Sequence, residues 1–210
     1  IAGVYKPTSG KILLDKHNIT NLEPHQLFKK GLLRTFQISQ EFSSLTVIEN
    51  LMMVPDNQSG EKIFNTWFNK KKILQEEKKI KNKAQEILDF LQLSHLSNEY
   101  AGNLSGGQKK LLELGRTMMV KPKIVFLDEV GAGVNKTLLK KISSSIFKLN
   151  KEFEFTFCMI EHDMDLITQL CNPIIVMSEG KILAEGEAKE IINNDSVIEA
   201  YLGKGQKGKK

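Results

Sequence analysis

Apolar residues along this chain follow two rhythms. Between 41 and 100 the rhythm is helical: Ala84, Ile87, Leu88 and Leu91 recur at i, i+3, i+4 and i+7, one apolar stripe on a charged background. From 101 onward, short apolar runs alternate with helical stretches. Lys109 to Val120 predicts a helix ended by Pro122, and Leu138 to Leu149 predicts another. Ile124-Val125-Phe126-Leu127 and Phe155 to Ile160 predict strands buried on both faces of a parallel sheet. Ile174 to Met177 and Lys181 to Ala184 flank Ser178-Glu179-Gly180, the pattern of a hairpin. Residues 1–40 add a short strand at Ile12-Leu13-Leu14, a capped helix from near Pro24, and the segment Leu33-Arg34-Thr35-Phe36-Gln37. Strand and helix in alternation predict an α/β fold with a mostly parallel sheet.

Composition narrows this little. Charged residues make up 26% and hydrophobic ones 40%, the balance of a chain with a buried core. No apolar stretch approaches the roughly 18 residues of a membrane span, so a membrane role is expected to run through a partner. Ile1-Ala2-Gly3 reads as the end of a helix with a glycine cap, which predicts material upstream. Cys158 and Cys171 lack metal-ligand spacing and read as small buried hydrophobes in a reducing compartment. The net charge is +5, but Lys204, Lys207, Lys209 and Lys210 crowd into the last eight residues. The basic 204–210 stretch reads as a solvated flexible tail, with anionic lipid headgroups as its alternative partner, and nucleic acid is not expected. Lysines from Lys70 to Lys83, interleaved with Glu76 and Glu77, read as a solvated helix face.

Three places carry chemistry. Asp128 and Glu129 follow the apolar run 124–127, and parallel sheets place ligands at the carboxyl ends of their strands. Phosphoryl transfer needs a carboxylate for magnesium and a group to orient or deprotonate water, roles two adjacent carboxylates can divide. His162 follows the next apolar run and suits a terminal phosphate or the attacking water. Leu104-Ser105-Gly106-Gly107-Gln108 precedes a helix. There two glycines permit close approach of backbone N–H groups to an anion, the helix N-terminus attracts it, and Ser105 supplies a hydroxyl that also caps the helix.

Together these residues resemble the ATP-binding cassette (ABC) family across residues 1 to about 203. Leu104 to Gln108 looks like its signature loop, Ile124 to Asp128 like its Walker B strand, and Glu129 like its catalytic glutamate. Gln37 matches the Q-loop, Gly131-Ala132-Gly133-Val134-Asn135 the D-loop and His162 the switch histidine. Several segments further resemble the ATPase subunits of branched-chain amino acid importers. They are Arg34 to Gln37, Thr46-Val47-Ile48-Glu49-Asn50-Leu51, Gly131 to Asn135, Glu161 to Asp165, and the ending Val197 to Gly203. Urea and amide importers share much of this.

The resemblance implies a P-loop NTPase (RecA-like) core at 1–40 and 101–203, with an α-helical subdomain inserted at about 41–100. It implies ATP and Mg²⁺ as ligands, with Asp128 and Gln37 at the metal, Glu129 as general base or polariser of the attacking water, and His162 at the terminal phosphate. It further implies a second ATPase subunit facing Ser105 to Gln108, integral membrane permease subunits, no direct solute contact, and a peripheral place on the cytoplasmic face of the cell membrane. Two features depart from the pattern. No Gly-x-x-x-x-Gly-Lys-Ser/Thr loop occurs: Gly10-Lys11 is followed by Ile12, and Tyr5 stands where a glycine belongs. That predicts an N-terminally incomplete sequence lacking a central strand, with a genuine truncation as the alternative. Val130 replaces the proline usual after the glutamate, with a modest effect expected on the D-loop. Two further readings stay open: an ABC ATPase outside transport, and a non-catalytic subunit that lends its signature loop to a partner.

Overall fold

Residues Leu13–Leu14 (β1) and His17–Asn18 (β2) form a small antiparallel hairpin. Its two turn residues, Asp15 and Lys16, take positive φ, the geometry of the tight turns that suit strand twist. Pro24–Lys29 (α1) begins with proline in the first turn, and the Gln26 side chain reaches back to the Glu23 N–H at 3.0 Å. Leu32–Arg34 (β3) follows. The computed structural model describes residues 1–35, 40–56, 58–61 and 63–202, so Gln37 and the basic 204–210 stretch lie outside the described residues. Gly3 has φ +77°, as a glycine cap requires, but residues 1–11 contain no helix.

The middle of the chain is helical, as its rhythm predicts: Val47–Met52 (α2), Ile63–Phe68 (α3) and Lys70–Phe90 (α4). A capping box opens α2, with the Glu49 N–H on Thr46 Oγ1 at 3.3 Å and the Thr46 N–H on Glu49 Oε2 at 2.8 Å. The predicted stripe of α4 is the buried one: Ala84, Ile87, Leu88 and Leu91 are at most 4% exposed. They face α2 and Gly106–Met118 (α5), where a Cβ on Gly115 would meet Leu91 and Ile87.

Ile124–Asp128 (β4), Lys136–Phe153 (α6) and Phe157–Ile160 (β5) complete a first compact unit, Ile1–Ile160. Its sheet has the order β3-β4-β5, all parallel, with β4 in the centre. One face of β4 is sealed, with Val125 and Leu127 at 0% and 1% exposure. Ile124 and Phe126 on the other face are half-buried over Ile19, Leu27 and Leu32. β5 departs from expectation. Phe157, Cys158 and Met159 are half-buried and Ile160 is 50% exposed, because among the described residues β5 pairs only with β4. Partial burial still pushes the Cys158 thiol pKa up.

A second unit begins at Glu161. It contains Met164–Leu170 (α7), the antiparallel pair Ile174–Ser178 (β6) and Lys181–Gly186 (β7), then Ala188–Ile192 (α8) and Asp195–Leu202 (α9). The predicted hairpin turns through Glu179 and Gly180, both at positive φ. Ile174, Ile191 and Val197 form the core of this unit.

Candidate functional site

The acidic pair sits at the carboxyl end of the central strand. Arg34, the last residue of neighbouring β3, donates from Nη2 to Asp128 Oδ2 at 2.8 Å. Thr35, 5% exposed, joins the same corner: its N–H bonds Phe126 O at 2.9 Å and its hydroxyl accepts the Asp128 N–H at 3.3 Å. Sheet register therefore fixes the Asp128 backbone, and a cation next door fixes its carboxylate.

Glu129 leaves the strand in a left-handed conformation, φ +48°, uncommon for a side-chain-bearing residue and a frequent mark of functional turns. Its N–H is held by Ile160 O at 2.9 Å, and its carbonyl accepts from Lys110 Nζ at 2.5 Å. The chain then turns tightly, with Ala132 N–H on Glu129 O at 3.2 Å and Val134 N–H on Gly131 O at 3.2 Å. Gly133 supplies a further positive φ, and Asn135 caps α6 by accepting the Leu138 N–H at 2.9 Å. Val130 is buried at 9%, so an apolar residue suits the place where the family pattern has proline.

Leu104 to Gln108 forms the start of α5. Leu104 is buried as an anchor, Ser105 and Gly106 are exposed, and the loop closes on itself in a capping box. Gln108 Oε1 accepts the Ser105 N–H at 2.8 Å, and Ser105 Oγ accepts the Gln108 N–H at 3.4 Å. The glycines differ in purpose. A Cβ on Gly106 would meet open space, whereas one on Gly107 would collide with Leu138 of α6. Gly107 is thus small for packing, and Gly106 leaves the helix N-terminus open to an anion.

The Gly107–Leu138 contact and the Lys110–Glu129 bond join the first turns of α5 to the segment after the acidic pair. The signature-like loop, Asp128, Glu129 and Gly131 to Asn135 thus lie in one unit. His162 belongs to the second unit, where its side chain is 73% exposed and its Nδ1 lies 4.0 Å from Glu161 Oε2. Tyr201 of α9 donates its hydroxyl to His162 O at 2.7 Å, which gives the Tyr201-containing ending a structural task.

Sequence reasoning missed the supports. Lys110 shows no sign of its bond to Glu129 O, and Arg34 and Thr35 enter only as part of a resemblance. Asn50, wholly buried, satisfies a loop: Oδ1 accepts the Phe42 N–H at 2.9 Å, and Nδ2 donates to Phe42 O, Leu45 O and Thr46 O at 3.1, 3.3 and 2.9 Å. Arg116 donates to Gln40 O at 2.7 Å and lies 5.5 Å above the Phe42 ring; burial lowers its pKa. Lys109 pairs with Glu41 at 2.7 Å. These three residues fasten α5 and α2 to the chain that follows Gln37.

Among the described residues no group of three or more His, Cys, Asp or Glu side chains can enclose a metal. The Asp128 carboxylate at the strand end suits magnesium that arrives with phosphates, since that ion is commonly bound by one or two carboxylates plus substrate oxygens.

Residues 1–132 match the ABC transporter family. The chain belongs to that family. Residues 181–206 also match the family described as branched-chain amino acid ATP-binding cassette transporter. A probable branched-chain amino acid transport ATP-binding protein LivG of Archaeoglobus fulgidus is 40% identical over 207 residues, 97% of this chain and 77% of the relative. The high-affinity LivG protein of Escherichia coli K12 is 34% identical, over 97% of this chain and 80% of its own length. The solved structure of a nucleotide-free ATP-binding cassette from an ABC transporter superposes with a TM-score of 0.78 at 40% identity, covering 97% of this chain and 81% of that one. The ADP conformation of an ATP-binding cassette gives the same TM-score at 39% identity, over 97% of this chain and 80% of the other. This ABC chain therefore has the α/β fold with a parallel sheet that its sequence predicts.

Proposed function

We propose that this ABC protein is the ATP-binding and ATP-hydrolysing subunit of an importer for branched-chain amino acids. The observation that carries this reading is the alignment of 97% of the chain with branched-chain amino acid transport ATP-binding proteins. The geometry of the first unit supports a catalytic part in it. Arg34 orients the Asp128 carboxylate, which with Gln37 would hold Mg²⁺; that ion neutralises phosphate charge when bound. Glu129, its backbone pinned by Ile160 O and Lys110, polarises or deprotonates the attacking water. His162 holds the terminal phosphate, with Tyr201 steadying its carbonyl. Ser105 to Gln108 closes over the nucleotide held by a second ATPase subunit, and Gly131 to Asn135 lines the same junction.

Residues 1–210 contain no Gly-x-x-x-x-Gly-Lys-Ser/Thr loop, so hydrolysis is a property of an assembly in which such a loop is present. The helical stretch 41–100 docks on integral membrane subunits at the cytoplasmic face and passes closure to them. The test is ATP hydrolysis by the chain reconstituted with its membrane subunits and a solute-binding protein. Leucine, isoleucine or valine is expected to stimulate it. Stimulation by urea or a short amide alone would overturn the substrate assignment, and co-purification with ribosomes or DNA instead of membrane subunits would overturn transport.

A second reading, in which the chain lends its signature loop to a partner and hydrolyses nothing itself, draws on the exposed Ser105 and Gly106 at the open start of α5. An assembly whose rate is indifferent to Glu129→Gln in this chain would select that reading.

A further inference from the structure

Large apolar side chains are densely exposed on α3. Ile63, Phe64, Trp67 and Phe68 are 78%, 81%, 81% and 76% accessible. At positions i, i+1, i+4 and i+5 they span an arc of about 140° and form one continuous face. Isolated apolar residues on a surface need no explanation, but a contiguous cluster of this kind marks a contact site. The base beneath it is ordered: Ser59 donates from its N–H and hydroxyl to Glu76 of α4 at 3.0 and 2.9 Å, and Thr66 Oγ1 bonds Ile63 O at 2.6 Å. Lys70, Lys71 and Lys72 follow at once and are exposed, and α4 carries seven lysines against four acidic residues.

An apolar face that projects as a ridge, ends in three lysines and contains a tryptophan has the chemistry of an interfacial helix. Its apolar side chains suit the headgroup–acyl boundary, where tryptophan is favoured, and its lysines suit anionic headgroups. A bilayer receives projecting side chains without a matching groove. No helix among the described residues is long and apolar enough to cross a membrane, so the contact is with the surface layer. We propose that α3 is a membrane-interface anchor that inserts Ile63, Phe64, Trp67 and Phe68 into an anionic lipid surface, with Lys70, Lys71 and Lys72 on its headgroups. The proposal takes its membrane setting from the importer reading, but its test needs neither nucleotide nor transport.

Trp67 is the sole tryptophan of the chain, so its emission reports insertion directly. Mixed phosphatidylcholine–phosphatidylglycerol vesicles are expected to shift that emission to the blue, and brominated lipid is expected to quench it. Ile63→Ser with Phe64→Ser, which keeps the reporter, is expected to weaken binding on the order of 100-fold. Lys70→Gln, Lys71→Gln and Lys72→Gln together are expected to weaken it by a similar factor on anionic vesicles only. Circular dichroism of each variant checks that the helices persist. Four results would overturn the anchor: no shift with vesicles, undiminished binding by the Ser variant, a shift produced only by detergent-solubilised membrane subunits, or a shift that rises with protein concentration in buffer alone. ATP hydrolysis by the reconstituted assembly would be untouched by any of these, so the two proposals fail separately.

Discussion

The signature-like loop and the acidic strand end stand side by side in the first unit, yet they are built over very different lengths of chain. Ser105 and Gln108 bond each other across three residues, and the loop would have much the same form on any helix that begins there. Asp128 and Glu129 depend on Arg34, Thr35 and Ile160, and on strands that pair across tens of residues. A segment made of local bonds can tolerate changes elsewhere in the fold. A segment made of distant ones is placed only when the whole sheet is in register. The glycine at 107 is where the first kind becomes committed to the second, because Leu138 occupies the space a side chain would need.

This contrast can be tested by its largest consequence first. Glu129→Gln, placed in an assembly with a phosphate loop, is expected to lower the rate of phosphate release about 100-fold or more while nucleotide binding survives. A near-normal rate would take chemistry away from the strand end altogether. Leu127→Ala, in the sealed face of β4, is expected to cost about 2–5 kcal/mol in urea unfolding, with the acidic pair displaced along with the strand. Gly107→Ala is expected to cost about 1–3 kcal/mol by overpacking against Leu138, whereas Gly106→Ala is expected to be tolerated. Equal effects at the two glycines would erase the distinction between the open and the committed half of the loop. Ser105→Ala removes a local cap and is expected to cost about 1 kcal/mol without altering the strand end.

Acid is expected to act on both kinds of contact, with a smaller effect. Glu49 is held below the ordinary glutamate range by bonds from the Thr46 backbone and hydroxyl, a local arrangement. Burial pushes Glu41 up, but the bond from Lys109 and others outweigh this and leave it lowered too, a distant arrangement. A carboxyl whose folded pKa is depressed adds stability that is fully present above its unfolded value of about 4.5 and is lost as pH falls through the folded value. Urea midpoints measured from neutral pH downward are therefore expected to hold until about pH 5 and then decline. Glu49→Gln and Glu41→Gln are each expected to make that decline shallower.

Much of the fold is legible in the chain because it is written in short periods. The stripe of α4, the proline start of α1, the caps at Thr46, Ser105 and Asn135, and the Glu179-Gly180 turn all lie within a few residues of their causes. β5 shows where that legibility ends. Phe157 to Ile160 has the same apolar character as β4, yet Ile160 is half exposed, since burial of a strand is decided by its neighbours. The face of α3 poses the same problem more sharply, because its large apolar residues stand on the surface.

The sequence by itself determined the helices and their caps, the alternation that makes an α/β fold, and the residue types that mark this chain as an ABC protein. Helical and strand periodicity, proline, glycine and capping side chains act over one to four residues, so no distant information is needed. Only the tertiary structure decided that Arg34 pairs with Asp128, that Lys110 holds the carbonyl of a left-handed Glu129, and that Asn50 fills the loop beneath α2. Those contacts join residues from 4 to 94 positions apart, and the longest exist because parallel pairing lines up the ends of β3, β4 and β5. A carboxylate acquires its partner from the strand beside it, which no stretch of sequence around that carboxylate contains.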